Sequence, residues 1–443
     1  MSHVVHEGTL ATGSTFLLHV PAHWNGILLL YSRGLPLPLG EAPWSADEPL
    51  FAGLLAERYA IAGTGGTGFW PLEETFANQS ELLDRFSHLV EPPKETIAWG
   101  FSIGGITTAG LIQVMPDRLS AALPLCGNLA GAVGVHNREL DIAFAFKTLL
   151  APDSPLDLVN ISSPGRNLEL ATSILEEAQR SEEGRARLAL SAAIGNIPGW
   201  YDPAAAEPAV DDFTEQQEQK FRWYDEVGIL VFFALRAQVE RRAGGNPSWN
   251  VGVDYQARLA SSINSEQVQG LYRTVGLELE ADLAALGRAH RIEAEPDAVR
   301  YLEQHIVFSG KLQGRPVLTL HTCGDGLVTP DNEQAYADVV HWAGGGQLLR
   351  QLYLRRGGHC THTTAEVIIA LRALVDRIGL DRWPDLDPDQ LNAATSALAP
   401  ELMVSRNGEM AVPAYCSFVP PVFPRPYDVR SVITAGNGPP AGG

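Results

Sequence analysis

Apolar residues run without a break through Ile27-Leu28-Leu29-Leu30-Tyr31, as expected of a strand covered on both faces. Thr15–Val20 before it and Tyr59–Gly63, Thr96–Gly100 and Ala121–Cys126 after it read as further strands. Between them lie stretches of helical pattern, Leu50–Glu57, Leu72–Val90 and the run from Gly104 to Val114. Strand and helix alternate throughout this half, which predicts a parallel sheet with helices on its faces.

The pattern changes after Gly127. From about Asn128 to Phe308 no β alternation is visible, and Leu168–Arg180, Arg185–Ile194, Thr214–Arg242 and Ala281–Arg291 are the predicted helices. The strand pattern returns with Pro316–His321 and, more weakly, Leu348–Leu354, followed by an amphipathic helix over Thr363–Ile378. The organisation expected is a core of residues 1–127 and 309–383, a helical insertion over 128–308, and a Pro-rich, irregular extension over 384–443. Within that extension Glu409–Val419 has room for short strands, and Ala435–Gly443 is expected to be disordered.

Composition narrows the class. The 443 residues are 45% hydrophobic, enough for a sizeable core. The net charge of -20 argues against nucleic acid or an anionic membrane as partner, and a small molecule is the expected one. Four cysteines (Cys126, Cys323, Cys360, Cys416) lack the spacing of a zinc site, and whether any of them pair is left open. No metal and no organic cofactor is expected. The N-terminus has no basic-then-apolar leader, and no apolar run approaches the roughly 18 residues of a membrane helix. A soluble cytoplasmic protein is the default expectation, with a homodimer admitted.

The most informative stretch is Thr96-Ile97-Ala98-Trp99-Gly100-Phe101-Ser102-Ile103-Gly104-Gly105. Ser102 falls between a strand and a helix inside G-x-S-x-G, the sequence of a nucleophile elbow. Gly100 and Gly104 supply the room that so tight a turn needs. A serine hydroxyl is a poor nucleophile until a base takes its proton and a carboxylate orients that base. The loop after Pro316–His321 holds Asp325 between two glycines, with Asp331 as a second candidate. The loop after Leu348–Leu354 holds His359 behind Gly357-Gly358, with His362 as competitor. Twelve histidines make any one of them uninformative; the order Ser102, Asp325, His359, with the two partners at the ends of late strands, is the signal.

On Gly100-Phe101-Ser102-Ile103-Gly104, Gly324-Asp325 and Gly358-His359, the chain resembles the α/β-hydrolase superfamily over Thr15–Gly127 and Gly314–Ile378. The resemblance implies a mostly parallel sheet with flanking helices, catalytic loops at the strands' C-terminal edge, and a cap over the site. Here the cap would be the large helical insertion after the strand ending near Cys126. It also implies an oxyanion hole, built from the Ile103 N–H and from Gly34 or Leu35. Arg33 stands where the superfamily often has histidine, and is expected either to meet a substrate carboxylate or to form a structural ion pair. In the insertion Trp249, on a Gly-rich loop, is a candidate substrate contact, and the many aromatics either line a pocket or form the insertion's own core.

The expected chemistry is acyl transfer from Ser102 to water. Its substrate would be an ester, amide or lactone of a medium-sized, partly apolar molecule, with a serine esterase as the leading form. An acyltransferase or cyclising thioesterase would use the same parts. A non-catalytic binding protein would not need all three triad positions filled.

Overall fold

The computed structural model of the chain describes residues 3–35, 44–65, 68–406 and 408–427. In chain order the first half runs β1 (His3–Thr9), β2 (Thr15–Pro21), β3 (Ile27–Ser32), α1 (Pro49–Ala56), β4 (Ala60–Thr64), α2 (Leu72–Leu89), β5 (Glu95–Phe101), α3 (Ile103–Val114) and β6 (Ala121–Leu125). The insertion follows as α4 (Gly131–Leu150), α5 (Pro164–Gln179), α6 (Glu182–Ile194), α7 (Phe213–Trp223), α8 (Arg236–Ala243), α9 (Tyr255–Ser261), α10 (Ser265–Val275), α11 (Leu279–Arg288) and α12 (Pro296–Gln304). The chain then returns through β7 (Val317–Gly324), α13 (Asp331–Trp342), β8 (Leu349–Gly357), α14 (Thr364–Leu380), α15 (Pro388–Ser396) and β9 (Tyr415–Cys416).

Among the described residues the strands make one sheet in the order β1-β2-β4-β3-β5-β6-β7-β8-β9. The stretch from β4 to β8 is parallel, and β1, β2 and β9 add antiparallel edges. The apolar run of β3 explains its central place. Leu28 and Leu30 enter one core, with α2 and α3, while Leu29 and Tyr31 enter the other, with α1 and α14. At about 25 cal/mol per Å² of buried apolar surface, a strand covered on both faces gains roughly twice what a half-exposed one does.

The insertion is helical, as its composition predicts. Thr214–Arg242 is interrupted, however: between α7 and α8 the backbone passes through two π-helical stretches, Tyr224–Gly228 and Val231–Leu235. Most of its aromatics are core, since Trp223, Tyr224, Phe232 and Phe233 are all buried in the cluster that α2 and α3 share.

The C-terminal segment departs from expectation. In place of an irregular extension, α15 forms behind an Asp387 cap, and β9 pairs with β8. Leu391 and Tyr415 are buried in the α14 side of the core, and the Tyr415 hydroxyl donates to the Glu366 carbonyl at 2.6 Å. Further on, Arg425 reaches the insertion and pairs with Asp141 at 2.8 Å. Composition misses this because the segment folds by docking on surfaces made elsewhere. The expectation for Ala435–Gly443 falls outside the described residues, as does most of the loop from Leu35 to Pro43. No helix among the described residues is long and apolar enough to cross a membrane.

Candidate active site

Ser102 sits between β5 and α3 with φ 58° and ψ −122°, a conformation that costs a non-glycine residue about 1–3 kcal/mol. The backbone is held there at both ends. The Ser102 N–H donates to the Leu125 carbonyl at 2.9 Å, and its own carbonyl accepts from the Gly105 N–H at 2.8 Å. A Cβ on either Gly100 or Gly104 would run into the Ser32 carbonyl oxygen, so both glycines are required for β3 and the elbow to meet. α3 begins directly behind Ser102 and turns its positive end toward the hydroxyl.

Asp325 and His359 arrive from the ends of β7 and β8. Their loops are tied together by the Thr322 hydroxyl, which donates to the Gly358 carbonyl at 2.8 Å. Asp325 is fully buried; its Oδ1 accepts the Leu327 and Val328 N–H groups, both at 3.0 Å. Its Oδ2 lies 2.6 Å from His359 Nδ1. The Gly-Asp-Gly turn is therefore also what holds the carboxylate against His359. Asp331, the other acid considered, is bonded instead to the Thr329 hydroxyl and the Asn196 amide, and burial pushes it up to about 6. His362, the other base, faces the Leu320 carbonyl at 3.2 Å, and burial holds it well below the usual histidine value.

Burial pulls His359 down, but the charge and hydrogen bond of Asp325 outweigh it and leave the imidazole above 6.5. Its Nε2, the nitrogen left for chemistry, lies 3.3 Å from Cys360 Sγ; no hydrogen bond joins it to Ser102 Oγ. The cysteines are thiols. Cys126, His359 and Cys360 offer ligand atoms within 4.8 Å of one another, a set that suits a soft metal ion. An ion there would occupy the nitrogen that a general base needs.

One member of the site carries no local sequence signal. His321 Nδ1 lies 3.0 Å from the Glu333 carboxylate and Nε2 lies 2.8 Å from the Val328 carbonyl. Both partners can accept, an arrangement that suits the doubly protonated ring. Its fields agree: burial lowers its pKa, yet the charges and hydrogen bond around it raise it to about 10. This buried cation stands 3.6 Å from Asp325 Oδ2. Glu333 arrives on α13, which is why the strand sequence alone does not show the pair.

Gly34 packs on the elbow: a Cβ there would lie 2.9 Å from the Phe101 carbonyl and 3.4 Å from Ser102 Cβ. Among the described residues the N–H groups of Gly34, Leu35 and Ile103 have no acceptor. Among the described residues Arg33 makes no ion pair, and its buried Nη1 has no partner. Trp249 is held on the C-terminal segment, with the Arg425 guanidinium 5.9 Å from its ring and Tyr427 at 6.2 Å. Its hydrogen bonds are with that segment and Asn137, and its ring packs on the apolar cluster that α2 and α3 share. The insertion does meet the acid and base loops elsewhere. A Cβ on Gly326 would meet the Trp223 ring at 2.6 Å, and one on Gly357 the Trp200 ring at 2.7 Å.

The strand order, the strained serine behind β5 and the acid and base behind β7 and β8 define the α/β-hydrolase fold. In sequence the chain is 27% identical, over 420 aligned residues, to the o-phthalyl amidase of Xanthobacter agilis, covering 88% of this chain and 90% of that protein. No family model matches it. Two solved esterases are distantly similar in structure. Feruloyl esterase B of Aspergillus oryzae has a TM-score of 0.43 at 15% identity, over 86% of this chain and 82% of its own. The rice cell wall degrading esterase LipA of Xanthomonas oryzae has 0.39 at 14%, over 86% and 91%. Likenesses this loose carry no functional argument.

Proposed function

We propose that this protein is a serine hydrolase that cleaves an amide or ester of a small, partly apolar molecule through an acyl-enzyme on Ser102. The observation that carries this reading is the Asp325–His359 bond of 2.6 Å at the strand edge where the elbow presents Ser102. In the scheme, His359 Nε2 takes the proton of Ser102 Oγ, while Asp325 holds Nδ1–H. Ser102 Oγ attacks the carbonyl carbon, and the oxyanion accepts from the Ile103 N–H and from Gly34 or Leu35, each worth about 3 kcal/mol of barrier. The imidazolium then gives its proton to the leaving nitrogen or oxygen. Water, deprotonated by the same nitrogen, releases the acid and restores Ser102. The scheme calls on no metal or organic cofactor.

The insertion serves as the cap, resting on the acid and base loops through Trp200 and Trp223. The sequence relative is an o-phthalyl amidase, which makes the amide of an ortho-substituted aromatic acid the first substrate class to try here. The test is turnover of benzoyl 4-nitroanilides and short 4-nitrophenyl esters by the wild type and by Ser102→Ala. Hydrolysis that Ser102→Ala abolishes supports the reading. Turnover that survives the substitution overturns it, and acyl transfer to an added alcohol far outpacing hydrolysis would make the enzyme a transferase.

A further inference from the structure

Two guanidinium groups stand beside the elbow with no carboxylate paired to them among the described residues. Arg33 follows β3, immediately before Gly34, and its buried Nη1 has no hydrogen-bond partner. Arg406 comes from the C-terminal segment. A bridge between Thr363 and Ser405 and a bond from the Thr364 N–H to the Val404 carbonyl fix that segment at the start of α14, just past the base loop. From there the Arg406 guanidinium lies over the Phe101 ring, 4.4 Å from its centre, and Phe101 directly precedes Ser102. His359, Cys360 and Cys126 are all within the guanidinium's electrostatic reach.

The two cations also feel each other. Like charges brought together with partly dehydrated heads are costly unless an anion joins them. The chain has 52 acidic side chains against 32 basic ones, so a carboxylate for each was within easy evolutionary supply. Elsewhere the protein provides it: Arg356 meets Glu366, Arg236 meets Glu240 and Arg425 meets Asp141. Here Glu48, the acid that both arginines feel, accepts the Ser45 N–H and makes no ion pair with either.

We propose that Arg33 and Arg406 form an anion subsite that binds a carboxylate carried on the acyl half of the substrate, next to the carbonyl that Ser102 attacks. The proposal rests on the hydrolase reading above and adds the recognition element. Planar guanidinium forks suit a carboxylate held in a fixed orientation, and such a group would lock the carbonyl over Ser102.

The test uses two benzoyl 4-nitroanilides that differ only at the ortho position, carboxylate in one and methyl in the other. Arg406→Gln and Arg33→Gln should each lower kcat/KM for the carboxylate substrate by about 10- to 100-fold, chiefly through KM, and leave the methyl substrate within about threefold. Arg406→Lys should restore only part of the loss. Equal losses on both substrates, or none, overturn the subsite. Calorimetric titration of phthalate into Ser102→Ala reads the subsite without turnover. Binding that Arg33→Gln/Arg406→Gln removes, in a protein that hydrolyses neither anilide, would keep the subsite and refute the hydrolase. Hydrolysis without phthalate binding would do the reverse.

Discussion

Asp325 shows how one side chain can satisfy two readings at once. It caps its own loop through Leu327 and Val328 and still directs its second oxygen at His359. The sequence puts Asp325 first and Asp331 second, and the hydrogen bond to His359 is made by Asp325. Asp325→Asn should therefore lower kcat by about 10³- to 10⁴-fold, while Asp331→Asn leaves it within a few-fold, both read by steady-state assay. His359 is raised above 6.5 by Asp325, so the base is protonated, and activity lost, below a pH that lies above 6.5. The acid limb of the pH–kcat/KM profile should sit there and move down in Asp325→Asn. His321 obeys the linkage in the stability direction. Its pKa rises from 6.5 unfolded to about 10 folded, so its contribution is complete below 6.5 and fades as pH climbs toward and through 10. Melting temperature should fall across that window in the wild type and fall less steeply in His321→Gln. Ser102 stands out in sequence through its local G-x-S-x-G, and His359 only through its place in the order after Ser102 and Asp325. His321 and Arg406 do not, because the partners that give them meaning lie on other elements.

Among the elements, the parallel strands announce themselves. Leu28 to Tyr31 must be buried whichever way the side chains alternate, and no helix or half-exposed strand satisfies that run as well. The elbow is equally plain, since Gly100 and Gly104 are the residues the β3 approach demands. What the elements of the insertion conceal is their internal geometry: apolar spacing over Thr214–Arg242 predicts helix, but it does not distinguish α from π turns. Gly104→Ala tests the elbow as an element. Its new methyl would push on the Ser32 carbonyl, immediately before Arg33 and Gly34, at a cost of about 1–3 kcal/mol. The variant should melt lower and also lose at least about tenfold in kcat, because the displaced strand end carries the proposed oxyanion donor. Reduced stability with unchanged kcat would separate the two effects and remove Gly34 and Leu35 from the oxyanion hole.

Over the whole molecule, the C-terminal segment ties parts that sequence places far apart. It adds β9 to the sheet edge, sets Arg406 beside the elbow and sends Arg425 to Asp141 in the insertion. Its Pro-rich, irregular pattern makes it look like an appendage, and only the surfaces it docks on reveal otherwise. Arg425→Met should destabilise the protein by about 3–5 kcal/mol in urea unfolding, because Asp141 is left buried without its cation. The proposed chemistry stands or falls on Ser102. A fluorophosphonate reacted with the full-length protein, followed by intact-mass and peptide mass spectrometry, tests it most directly. One phosphonyl adduct per chain, located on Ser102 and absent from Ser102→Ala and greatly slowed in His359→Ala, is the result expected. An adduct on Cys360, or no adduct at all, would contradict it.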